Sequence, residues 1–195
     1  MFIDPIPLDA AEGLLADIYR DDMAELGYIP EFVKVFSHHP EAHQAWDQLI
    51  TTVYSGMDRR VCELATFVAA RTMKSTCCTI AHGRTLRNRF SFTPDEITQL
   101  STDYHRAGLT AVETAVMGFA EKVATDPTTV SQADVDSLRH LDMTDREIFD
   151  VVFAVAARAF FTTLIESLGT TAERPWVDDL EPELVEVLTV GRPAR

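Results

Sequence analysis

The chain has 195 residues, 46% of them hydrophobic, and a formal net charge of −14. That length fits one large domain, and the hydrophobic content is enough to fill a core, which argues against a disordered chain. The acidic balance repels phosphate backbones and anionic headgroups, so neither nucleic acid nor a membrane surface is expected as a partner.

Helical periodicity dominates and strand-like alternation is almost absent, which predicts an all-α fold. Leu8 to Leu26 reads as a first helix, with Asp9 as its N-cap and Gly27 closing it. Pro30 and Pro40 open two further helices, the second running to about Tyr54. In Asp58 to Met73 the apolar residues Val61, Leu64, Ala65, Val68 and Ala69 recur at steps of three and four, one stripe of a helix. Ser75 to Arg89 follows. Thr93 caps a short helix that begins with Pro94 and two acids. Thr110 and Glu113 form a capping box before a helix to about Ala124, and Ser131 starts another short one. Thr144 and Glu147 form a second box, leading a helix to Leu168-Gly169. Its core, Val151 to Leu168, is the most apolar stretch, but Arg158 and Glu166 interrupt it, so it reads as a buried helix and not a membrane span. About nine helices over residues 1–170 are expected, then a C-terminal arm over 171–195. Trp176, flanked by Pro175 and Val177, predicts that the arm packs on its own domain or a neighbouring subunit.

Met1 is followed by neither a basic segment nor a long apolar run. The three cysteines, Cys62, Cys77 and Cys78, are odd in number and clustered. They do not read as a secreted disulfide framework, so a reducing, cytoplasmic setting is expected. No glycine-rich phosphate loop is present, so no nucleotide cofactor is expected.

The segment that carries chemistry is Ser75-Thr76-Cys77-Cys78-Thr79-Ile80-Ala81-His82-Gly83. Cys78 and His82 are four apart and share one helix face. Cys78 lies near the helix start, where free N–H groups and the helix dipole favour a thiolate, the reacting form of cysteine. His82 can take the thiol proton. If the two central helices turn back near Lys74, Glu63 falls level with His82 and can fix its tautomer. The spacing thus predicts a Glu63–His82–Cys78 relay. The alternative is an inert buried cysteine beside an unrelated histidine.

The spacing Glu63-x11-Ser75-x2-Cys78-x3-His82 resembles the E-x11-C-x2-C-x3-H signature of the AhpD-like, or carboxymuconolactone-decarboxylase, family. Gly83 and the capped helix ending at Leu168-Gly169 extend the resemblance over about residues 28 to 172. It implies an AhpD-like helical bundle, in which the second motif cysteine attacks a hydroperoxide and the first resolves the product as a disulfide. Carried over, Cys78 is the peroxidatic residue, with His82 and Glu63 as proton carriers. The departure is Ser75, which stands where the first cysteine belongs and cannot form a disulfide. Cys77 points about 100° away from Cys78 on a helix, and Cys62 reads as a core residue. The expected function is therefore a hydroperoxide reductase whose oxidised Cys78 needs an external thiol reductant. The resemblance also implies a homo-oligomer: dimer, trimer or hexamer. Two alternatives stand beside it. One is a non-redox lyase, which keeps its activity in Cys78→Ala. The other is an inactive binding scaffold with no pocket at Cys78.

His39 and His43 are four apart, but His39 falls at a helix cap, so no metal site is expected there. Arg158, a lone charge in an apolar helix, points to a buried carboxylate partner or an interface, with substrate binding as the sharper option. Phe160-Phe161 reads as core or subunit contact. His105 and His140 complement helix ends.

Overall fold

Eleven α-helices and four short 3-10 turns carry the chain in the computed structural model, which describes residues 1–194. No strand occurs among the described residues. The helices are α1 (Gly13–Leu26), α2 (Glu31–Val35), α3 (Pro40–Gly56), α4 (Arg59–Thr72), α5 (Thr76–Phe90) and α6 (Pro94–Thr102). There follow α7 (Ala111–Thr125), α8 (Gln132–Arg139), α9 (Asp145–Ser167), α10 (Arg174–Asp178) and α11 (Pro182–Leu188). All-α architecture is as the periodicity requires.

Capping chemistry sets most boundaries. The Thr93, Thr110 and Thr144 hydroxyls accept the N–H three residues on, and Glu96, Glu113 and Glu147 reach back to the cap N–H at 2.7, 2.9 and 2.7 Å. The first helix departs from expectation. Leu8–Ala10 is only a 3-10 turn, Ala11 and Glu12 are extended, and α1 begins at Gly13. Gly13 sits at φ +54°, which a right-handed helix cannot pass through, and Asp9 lies within the 3-10 turn and caps no helix.

The centre of the molecule is α4. Every residue from Cys62 to Ala70 is buried, and a helix buried on all sides has to be the core. Asp58 caps it by accepting the Val61 N–H at 3.0 Å. Lys74, left-handed at φ 57°, reverses the chain, and the Ser75 N–H returns to the Ala70 carbonyl at 3.0 Å. α5 therefore runs back along α4, with α7 and α9 packed on its other sides.

By length and hydropathy alone α9 could cross a membrane, but more than half of its apolar window is buried inside the protein against α3, α4 and α7. The segment after residue 170 packs on its own domain. Leu184 and Leu188 are buried where α11 meets α5 and α6, each burial worth roughly 1.5–3 kcal/mol. Val190 and Gly191 then donate to the Thr76 hydroxyl at 3.2 and 3.0 Å, strapping the chain end across the start of α5.

Candidate active site around Cys78

The α4–α5 hairpin places Glu63 beside His82, with Glu63 Oε2 2.6 Å from His82 Nδ1. Both are almost fully buried. Arg59, one turn earlier on α4, closes the other side of the carboxylate, its Nε and Nη2 2.8 and 2.7 Å from Glu63 Oε1. Burial alone would raise the Glu63 carboxyl, but His82 and the Arg59 guanidinium outweigh it and hold it below the usual carboxylate range. His82 is pushed down, first by burial and then by the charge of Arg158.

These facts fix the tautomer. An ionised Glu63 can only accept, so Nδ1 must carry the hydrogen. The Thr66 hydroxyl, 3.3 Å from Nδ1, spends its own hydrogen on the Cys62 carbonyl at 2.8 Å and can likewise only accept. The Nε2 lone pair is then free, and Nε2 has no hydrogen-bond partner among the described residues. His82 lines the same cavity as Cys78. A neutral imidazole oriented by a carboxylate, with its basic nitrogen unengaged, is the form a general base takes.

Cys78 occupies the third position of α5, its N–H bonded to the capping Ser75 hydroxyl at 3.3 Å. Two donors from α9 approach its sulfur, Arg158 Nη1 and Thr162 Oγ1, each at 3.6 Å. Arg158, Thr162 and Glu166 are four residues apart and form one stripe of α9. The third member, Glu166, accepts the Ser75 hydroxyl at 2.6 Å. Ser75 is thus fully engaged as a cap and a carboxylate donor. No hydrogen bond joins His82 to Cys78 directly, although both line the cavity.

The cavity over this group is about 290 Å³. Phe32, Trp46, Ile50, Tyr54, Phe161 and Trp176 give it an apolar body around Cys78, His82 and Arg158. Trp46 stacks on Phe161 at 4.6 Å, and Arg59 lies over the Tyr54 ring at 3.3 Å.

The other sequence candidates separate. Cys62 is core, its thiol pushed up to about 12 by burial and next by Glu63. Cys77 touches the cavity, yet burial and then the neighbouring Cys78 drive its thiol well above the ordinary value. All three cysteines are free. His39 is exposed beside Glu41, whereas His43 is buried with its ring 5.4 Å from that of Phe36, so the pair shares no site. Among the described residues no cluster of His, Cys, Asp or Glu is arranged to hold a metal ion. Phe161 is core and Phe160 is exposed. Arg158 is buried, but the partner it meets is the Cys78 sulfur and not the carboxylate expected of it. The sequence reading missed Arg59, Thr162 and Trp46. The first two stand four residues from Glu63 and Arg158, a spacing that could have found them.

No family model and no curated protein matches the sequence. Solved structures do. An uncharacterized peroxidase-related protein from Silicibacter sp. TM1040 superposes with a TM-score of 0.75 over 90% of this chain and 91% of its own, at 20% identity. A second, described as an alkylhydroperoxidase AhpD core from Ralstonia eutropha JMP134, gives 0.68 over 97% and 100%, at 21% identity. The chain has the AhpD-like fold. The debrominase Bmp8, in complex with 2,3,4-tribromopyrrole, shares this AhpD-like fold with a TM-score of 0.72 over 94% of this chain and 97% of its own, at 13% identity.

Proposed function

We propose that the protein is a thiol-dependent hydroperoxide reductase in which Cys78 is the only sulfur that reacts. The observation that carries this reading is the meeting of three groups on one cavity: a sulfur at a helix start with two donors on it, a neutral imidazole with a free nitrogen, and the carboxylate that orients it. The AhpD-like fold, shared with proteins described as peroxidase-related, supports it.

His82 Nε2 takes the Cys78 proton, and the sulfur attacks the distal oxygen of a hydroperoxide, ROOH. The O–O bond breaks, an S–O bond forms, and the proton passes from His82 to the departing alkoxide. The products are a sulfenic acid on Cys78 and ROH, with sulfur oxidised by two electrons and the peroxide reduced by two. Arg158 and Thr162 stabilise the anionic sulfur. Glu63 stabilises the imidazolium while it lasts. Ser75 cannot resolve the sulfenic acid. An external thiol attacks it, releasing water, and a second thiol displaces Cys78 as a disulfide of the reductant leaves. We place the protein in a reducing cytoplasm, as a homo-oligomer.

The test is stoichiometric treatment of the reduced protein with cumene hydroperoxide, followed by dimedone trapping and peptide mass spectrometry. Cys78 should carry the adduct, and small thiols should restore it. An unmodified Cys78 in a protein with its thiol free beforehand ends the reading.

A second reading is reductive dehalogenation. It is favoured by the aromatic lining of the cavity around Cys78, and by the structural likeness to a debrominase. Here the Cys78 thiolate takes the halogen from an aromatic carbon as a cation, a proton replaces it on carbon, and thiols reduce the sulfenyl halide. Halide release without added peroxide separates the two. A lyase would keep its activity in Cys78→Ala. The cavity at Cys78 weighs against an inactive scaffold.

A further inference from the structure

Arg158 is 5% exposed, and among the described residues no carboxylate pairs with it. A buried guanidinium is costly unless its charge is matched. Its Nη1 reaches the Cys78 sulfur, and its face lies 5.3 Å from the Phe161 ring centre and 5.9 Å from that of Trp46. Those contacts stabilise the cation in part. They leave its charge without a counter-ion, and its Nε is buried with no acceptor.

The rest of the cavity does not offer one. Glu63 is committed to Arg59 and His82. The other lining acid, Asp47, stands at the rim with its side chain exposed to solvent. Arg84 is already bound to Asp179 at 2.6 Å. Against a chain of net charge −14, the interior of this cavity therefore carries an unmatched positive charge.

We propose that the Cys78 cavity takes its substrate as a small organic anion, a compact aromatic or branched aliphatic carboxylate whose charged end pairs with the part of the Arg158 guanidinium that lines the cavity. This rests on the Cys78 cavity being the reaction site. The planar fork of arginine suits a carboxylate, and a neutral ligand would leave the guanidinium charge unmatched. The apolar body of the ligand lies against Phe32, Trp46, Ile50 and Trp176. A volume of about 290 Å³ is at the low end for ligand cavities, which limits the body to roughly one ring or a short branched chain.

The test is binding, independent of turnover. Benzoate and its neutral isostere benzamide are titrated into the reduced protein. Binding is read by the emission of the two tryptophans, both of which line the cavity, and by the rate of Cys78 alkylation by iodoacetamide. Benzoate should bind on the order of tenfold more tightly than benzamide and slow the alkylation, from the strength of a hydrogen bond to a charged group. Arg158→Lys should weaken the preference and Arg158→Met should abolish it. Equal binding of the two ligands, or binding of neither, overturns the proposal and leaves Arg158 as a partner of the sulfur alone. Equal protection by chloride at the same concentration also overturns it. Because Cys78→Ala should still bind benzoate, loss of the peroxide reading does not hide this result. Peroxide-reactive Cys78 without benzoate binding would sink this proposal and spare the other.

Discussion

Replacing Glu173 with glutamine should stabilise the protein at pH 8 and much less at pH 5. Glu173 stands just before α10, is 3% exposed, and accepts the Glu31 N–H at 2.6 Å, tying the tail to the first turn of α2. Both segments supply walls of the cavity, Trp176 and Phe32. Burial pushes the Glu173 carboxyl up from 4.5 to about 7. The folded protein then holds a proton that the unfolded chain releases above pH 4.5. Stability falls as pH rises from 4.5 through 7, and the whole penalty stands above that. The gap between the two values corresponds to about 3 kcal/mol, and partial hydration of the site reduces the expected gain to about 1–3 kcal/mol. Glutamine keeps the oxygen that accepts the Glu31 N–H and carries no charge. Urea unfolding at the two pH values reads the effect, as a higher midpoint with an unchanged slope. At pH 5 the gain should be about a quarter of that at pH 8. A variant that loses stability at pH 8, or gains equally at both, refutes the reasoning.

Four further outcomes are expected. Glu63→Gln should slow hydroperoxide oxidation of Cys78 by about 100-fold, since the imidazole loses the carboxylate that fixes it; stopped-flow rates equal to wild type would dismiss the relay. Because burial and then Arg158 hold His82 below 6.5, it stays a neutral base down to that value. Oxidation of Cys78 should lose its base, and folding the stability tied to the neutral imidazole, only as pH falls below 6.5, and a decline in the oxidation rate with pH already complete above 7 speaks against it. Ser75→Ala removes the α5 cap and strands the Glu166 carboxylate, so it should cost about 1–2 kcal/mol in urea unfolding, and an unaltered midpoint would contradict that. In Gly191→Ala the added Cβ would stand 1.9 Å from the Lys74 carbonyl oxygen. The strap should detach, read as faster amide exchange over residues 189–191; unchanged protection rejects the account.

The legible parts of this chain are those encoded locally. Capping boxes at Thr93, Thr110 and Thr144 announced three helices, because a cap and its return partner lie three residues apart. Glu63 and His82 could be set level from helix rise alone, since one tight turn at Lys74 joins their helices. The failures have two sources. At the first helix, a glycine in the left-handed region broke a run that composition alone could not distinguish from a helix. Around Cys78, the decisive partners come from far along the chain: Arg158 lies 80 residues away, and Glu166 lies 91 from Ser75. No periodicity reports such a pairing, so a lone arginine in an apolar helix points to a carboxylate, an interface or a substrate and not to the sulfur it meets. The cavity walls from α2 and α10 were equally silent, since both helices have only five residues.

An oxygen rather than a second sulfur, clamped by Glu166 one turn before Cys78, has a kinetic consequence. On the proposed chemistry, each oxidising equivalent stays on one atom until a reductant enters by the doorway the oxidant used. Turnover must alternate strictly between two visitors that exclude each other. The pace of the cycle is then set by the supply of small thiols in the surroundings, and excess oxidant drives the waiting sulfur toward irreversible forms.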